Sequence, residues 1–218
     1  MKGLLIKDFM FFKNQKQLLG IALFMTVILM VSNRDASFAI GYGMVMLSTL
    51  VITSISYDKY EKGMSYLFTL PVSRKKYVQE KYVLAIMMLL LALAAIAVIL
   101  TVVINMKLVP VDMEELLLTL GACGGMALLM DFIMIPLQLK FESERMQSIY
   151  IAVFGVVFVA IYAVLYIVKK VGIDLEQTVS AILTANLATV VGVWILLIVV
   201  VLLISYLASQ RIMRKKDF

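Results

Sequence analysis

Apolar and polar residues follow one another along this chain in long blocks. Nearly charge-free runs occupy residues 18–32, 38–57, 83–106, 116–139, 148–168 and 187–209, with short polar segments between them. A helix that crosses a hydrocarbon core of ~30 Å needs about 20 apolar residues at ~1.5 Å of rise each. The run 18–32, fenced by Lys16 and Arg34, is short for this. It must borrow residues from the segment before it or thin the bilayer locally. The others are long enough. The block pattern therefore predicts an all-α membrane protein of six transmembrane helices, arranged as a single transmembrane domain over 1–218.

Three segments depart from plain spans. Residues 1–17 alternate Lys and Asp with Leu4, Leu5, Phe9 and Phe12 at helical spacing, which predicts an amphipathic helix lying in the interface. The stretch leading to the last span is uncharged from Thr178 to Ser209, too long for one straight crossing, and Thr184–Ala185–Asn186 marks a break. Residues 173–186 are expected to form an outer or re-entrant segment, tolerated where protein covers its free backbone groups. The third departure is 58–81, a charged, helix-forming connection too elaborate for a hairpin.

Within 58–81, charges at 58, 59, 61 and 62 precede Met64, Tyr66, Leu67, Phe68 and Leu70. This predicts a short helix with an aromatic-rich face. Pro71 ends it, because proline lacks the helical N–H and restrains the residue before it. Ser73 can cap a following helix over 73–81 that runs along the headgroups into the third span. Arg74, Lys75 and Lys76 at its start oppose the helix dipole, so anionic headgroups or an acidic partner are expected to compensate them.

Composition agrees with the block pattern. The chain is 63% hydrophobic with a mean hydropathy of +1.03, against roughly 45–50% apolar content in soluble domains. Its net charge of +6 could suggest nucleic acid, but the basic residues cluster at the ends of the apolar runs. With the N-terminus inside, the outer connections hold only Arg34, Lys107, Lys169 and Lys170, and every other one of the 20 Lys and Arg falls on the inner side. This bias places both termini in the cytoplasm. No short apolar segment with a small-residue cleavage site stands near the start, so a cleavable signal peptide is not expected.

Candidate chemistry is sparse. The chain has no His and a single cysteine, Cys123, which excludes an intrachain disulfide framework and the usual general base or metal ligand. No phosphate-binding loop, HExxH pair or GxSxG elbow occurs. Glu114–Glu115 is similar to the paired glutamates of some intramembrane proteases, but Thr119 stands where those place Arg and no His follows. Asp112, Glu114 and Glu115 instead suit the positive end of the fourth helix dipole.

Asp131 is the one ionisable group well inside a predicted span. A carboxylate at mid-helix costs about 2.5–3.5 kcal/mol on insertion scales, so it must face protein or water. It either lines a pathway or locks a helix interface, or it makes a structural hydrogen bond to a nearby Tyr, Ser or Thr. Gly121 and Gly125 form a GxxxG spacing that permits close helix packing. The sixteen methionines are lipid-facing or core filler, or a pliable surface for apolar cargo.

Lys7–Asp8 near the start, LPVSR at 70–74, the basic pair after it, and Val78 and Lys81 leading into a span together resemble the permease subunits of ABC-2 type exporters. The segment PLQLKFESER at 136–145 resembles that family's short loop between the fourth and fifth spans. The resemblance covers nearly the whole chain and is nearest to short six-span Gram-positive-type permeases, including exporters of amphipathic peptide toxins and those conferring bacteriocin self-protection.

The resemblance implies an ABC-2, type V exporter-like architecture in the bacterial cell membrane and a division of labour. This chain is then not an enzyme and binds no cofactor; a separate ATPase subunit, in two copies, holds ATP and Mg²⁺. A coupling helix over 58–70 would engage it through Asp58, Glu61, Tyr66, Leu67, Phe68, Leu70 and Pro71, joined by Glu142, Glu144 and Arg145 of the second inner loop. Two permease chains, identical or not, would form the conduit, with an amphipathic peptide as cargo. A lipid-like or small apolar cargo stays open, as does a non-transporting scaffold or bacteriocin-immunity factor.

Overall fold

The computed structural model describes residues 2–33, 36–60, 63–69, 72–106, 113–141 and 187–216, together with helical positions scattered between 151 and 166. Apart from those scattered positions, the described residues form seven helices and no strand. They are α1 (Lys2–Asn14), α2 (Lys16–Asn33), α3 (Ala36–Lys59), α4 (Gly63–Leu67), α5 (Arg74–Asn105), α6 (Met113–Lys140) and α7 (Leu187–Lys215). The expected span 148–168 lies largely outside the described residues, and the expected outer segment 173–186 lies wholly outside them.

Helices α3, α5, α6 and α7 are each long and apolar enough to cross a membrane. The short second helix meets that test only together with α1, from which it bends by 66°. The break falls at Gln15, whose N–H still reaches the carbonyls of Phe11 and Phe12 at 3.2 and 3.0 Å. The short apolar run noticed in the sequence is thus one arm of an elbow.

Packing is organised around α3. It lies against α2, α5 and α6, while α7 lies against α5 and α6. Within its most apolar stretch 61% of α3 is buried, against 6% for α7. Small residues let α3 take the centre. A Cβ on Gly43 would come within 2.9 Å of the Thr26 hydroxyl of α2 and 3.3 Å of Ile96 of α5. Lipid is as apolar as Leu, so close van der Waals contact of this kind, more than escape from solvent, holds such helices together.

Three boundaries differ from expectation. Residues 73–81 and the third span are one uninterrupted helix, α5, capped by Ser73, whose side chain accepts from the Lys76 N–H at 3.3 Å. No Gly or Pro occurs between Arg74 and Asn105, so nothing in the sequence breaks the rod. Pro136–Lys140, which the resemblance assigns to the loop and the apolar pattern up to residue 139 to the span, belongs to α6. The helix expected over 58–70 is divided: Asp58 and Lys59 end α3, and α4 is five residues long. A Cβ at Gly63 would sit 2.7 Å from the Asp58 carbonyl oxygen, so any side chain there would force the backbone apart.

Candidate functional site

Helices α1, α3 and α5 meet in a buried charge cluster. Lys81 of α5 is fully buried, and its Nζ lies 2.6 Å from Asp8 of α1, 3.0 Å from Asp58 of α3 and 3.5 Å from its neighbour Glu80. It also donates to the Ser54 hydroxyl at 2.9 Å. Lys7 pairs with Asp58 and lies 3.2 Å from Asp8. Tyr77, one turn before Lys81, donates its hydroxyl to Asp58 Oδ2 at 2.9 Å, and its ring lies 5.2 Å from the Lys81 ammonium. Three carboxyl groups thus converge on two lysines. Removing such charges from water costs several kcal/mol per ion, offset only while the partners stay in place.

Local sequence explains the convergence. Leu4, Asp8 and Phe12 recur every four residues and form the buried face of α1. This face docks on the bundle, and Ile6, Phe9 and Met10 point outward. Asp58 closes α3, and Glu80–Lys81 falls on the face of α5 that continues through Tyr77, Leu84 and Met88.

Three further cations at this end meet helix C-termini. Lys59 donates to the Gln138 and Phe141 carbonyls, and Lys216 to Leu139 O at 3.0 Å. Arg74 donates to Met213 O and Arg214 O at 3.4 and 3.2 Å. Each positive charge thus sits on the negative end of a neighbouring dipole. For Arg74, the compensation expected from headgroups or an acidic partner comes at least partly from α7 of the same chain.

A second polar contact holds α5, α6 and α7 together. Pro136 cannot donate to the carbonyl of Phe132, four residues earlier. Ser205 of α7 donates to that carbonyl instead. The Tyr82 hydroxyl joins Ser205 and Ser209 at 2.5 and 2.9 Å, and its ring stacks on Phe132 at 5.7 Å. A proline inside a membrane helix is tolerated when a neighbour restores the lost partner in this way.

Helix α4 hangs directly below the charge cluster. Of the aromatic run expected to face a partner, only Tyr66 is open, at 73% exposure. Met64 and Leu67 are buried against the bundle, and Phe68 meets Tyr77 edge-on at 5.9 Å. Tyr60, before the turn, is also exposed. Asp58, expected to reach outward, is buried instead. Of the other expected coupling residues, Glu61, Leu70, Pro71, Glu142, Glu144 and Arg145 lie outside the described residues.

Asp131 is buried in α6 with neither carboxyl oxygen hydrogen-bonded. The hydroxyl beside it is Ser48 of α3, a partner of the kind expected, whose oxygen also lies 3.1 Å from Val45 O. The two glycines of the GxxxG spacing play different parts. A Cβ on Gly125 would strike the Trp194 indole and come within 3.0 Å of Ile198 of α7, whereas one on Gly121 would meet no described atom within 4 Å. Gly121 and Gly125 both border an apolar groove of about 890 Å³ between α6 and α7. Among the described residues no cluster of His, Cys, Asp and Glu has metal-binding geometry.

The charge cluster was missed in the sequence, yet it had a signal. Three acid–base doublets, Lys7–Asp8, Asp58–Lys59 and Glu80–Lys81, all stand beside the same end of the bundle. The Ser205/Ser209 pair, one turn apart in an otherwise apolar helix, marked the second contact.

The family described as ABC-2 family transporter protein matches this chain over residues 3–214. No curated protein and no solved structure matches it.

Proposed function

The chain belongs to the ABC-2 transporter family, an integral membrane component of an ABC transporter, and from that premise we propose that it is the permease of an ATP-driven exporter. In this reading its basic end faces the cytoplasm, both termini are cytoplasmic, and six spans cross the bacterial cell membrane. Two such chains, identical or paired with a relative, enclose the pathway. ATP and Mg²⁺ bind a separate ATPase subunit that docks on α4 and on the loop after α6. The cargo is an amphipathic peptide, for which generic apolar and small polar walls suffice.

One observation carries the coupling part of this reading. Tyr66 is exposed on α4, while Phe68, in the turn directly after it, touches Tyr77, which is bonded to Asp58 beside Lys81. A push on α4 therefore reaches α1, α3 and α5 through side chains already in contact. Among the described residues the docking surface is formed by Tyr60 and Tyr66, with Leu67 and Phe68 serving as the seat that fixes α4 on the bundle.

The test is co-expression with any ABC ATPase found encoded beside the gene. Tyr66→Ala is expected to lower co-purification and cargo-stimulated ATP turnover at least tenfold while the melting temperature in detergent stays unchanged. Leu67→Ala is expected to lower the melting temperature, because truncating a buried Leu costs about 2–5 kcal/mol. If no ATPase co-purifies with the wild-type chain, the scaffold or immunity reading takes the place of transport.

A further inference from the structure

We propose that the elbow between α1 and α2 holds one anionic phospholipid, its phosphate between Lys13 and Lys16 and one acyl chain in the groove between α2 and α5. The groove has a volume of about 430 Å³, and apart from these two lysines every side chain that lines it is apolar. Lys13 closes α1 and Lys16 opens α2, so the 66° bend brings both cations to the same mouth.

Charge favours an anion there. Lys13 and Lys16 are exposed and form no ion pair among the described residues, and no carboxylate lines the groove. Lys7, Lys59, Arg74 and Lys81 differ from them, since each is engaged by oxygens of the chain itself. Basic pockets between membrane helices of this kind bind acidic headgroups.

Shape favours a lipid over a free anion. The walls run from Lys16 to Leu23 on α2 and from Met88 to Ala95 on α5, a rise of ~10 Å on each helix. Both helices begin at the basic end, so the groove descends from the cationic mouth into the apolar zone. Ala92 and Ala95 keep α5 narrow there. An acyl chain would fill the space, and its headgroup would anchor α2, which lacks the length to cross by itself.

The experiment uses the full chain purified in neutral detergent and titrated by native mass spectrometry with phosphatidylglycerol and, separately, phosphatidylcholine. It requires no ATP or partner, so its outcome is independent of the transport reading. The wild type is expected to bind phosphatidylglycerol about tenfold more tightly, and the K13Q/K16Q variant to lose most of that preference. Ala95→Phe, which fills the groove, is expected to weaken both lipids at least fivefold. Leu91→Trp, on the exposed rim, serves the same purpose should Ala95→Phe fail to fold.

Equal affinity for the two lipids, or a preference that survives K13Q/K16Q, would overturn the headgroup site. Undiminished binding in a folded groove-filling variant would reduce the lysines to general surface charge and overturn the acyl-chain site. Full displacement of phosphatidylglycerol by inorganic phosphate at equal concentration would assign the mouth to a free anion, with the same consequence.

Discussion

Lys81 and Asp8 stand 73 positions apart in sequence, yet their charged atoms lie 2.6 Å apart with both side chains sealed inside the protein. The pair fixes the N-terminal helix to the foot of α5. Asp58, Glu80, Ser54 and Lys7 surround it, so the contact is one member of a network and does not act in isolation.

Lys81→Met is expected to destabilise the fold by about 3–5 kcal/mol, because it leaves buried carboxylates without their main counter-charge. Adding Asp8→Asn should recover part of that loss. Thermal unfolding in detergent of the two single variants and the double variant forms the cycle. Strictly additive effects would show that the two residues do not interact.

Ser205→Ala removes the donor to the Phe132 carbonyl, which Pro136 cannot supply. The expected cost is about 1–3 kcal/mol, the usual penalty for an unsatisfied buried polar group. Pro136→Ala in the same background restores a helical N–H to that carbonyl and should return most of the loss. A double variant no more stable than Ser205→Ala alone would count against this account of the proline.

Trp194 is the only tryptophan in the chain, so its fluorescence reports on the α6–α7 contact directly. Gly125→Ala places a methyl group against the indole and is expected to shift the emission and cost about 1–3 kcal/mol. Gly121→Ala meets no described atom within 4 Å and should be neutral, or stabilising by up to ~1 kcal/mol through helix propensity. Identical responses at the two positions would contradict the asymmetry of the contact.

Asp131→Asn is expected to leave the melting temperature unchanged or to raise it, by the equivalent of about 1–3 kcal/mol, since it replaces a buried group that is costly to charge with a neutral one of the same shape. A loss of export at normal expression would then identify a pathway role for the acid. A clear drop in melting temperature would show that the carboxylate is a structural anchor.

The helices were largely legible because block hydrophobicity is a direct consequence of what lipid demands of each span. Ser73 was legible as a cap for the same local reason: a hydroxyl at the start of a helix satisfies a free N–H. Contacts between distant residues were not. Lys7 and Lys81 read as topology signals, Asp58 as a residue facing a partner and Pro136, by resemblance, as the start of a loop. Each has a meaning set by a neighbour far away in sequence, and periodicity carries no information about which helix comes alongside. Leu67 and Phe68 show the same limit: an aromatic run on a short helix does not reveal which side faces the chain itself.

The unbroken course of α5 has a mechanical consequence. From Arg74 to Lys81 the helix rises ~10 Å, and from Lys81 to Asn105 a further ~36 Å. With Lys81 held on three sides by α1 and α3, the helix is a lever with its fulcrum near one end. A sideways step of ~1 Å at Arg74 becomes a swing of ~3 Å, in the opposite sense, at Asn105.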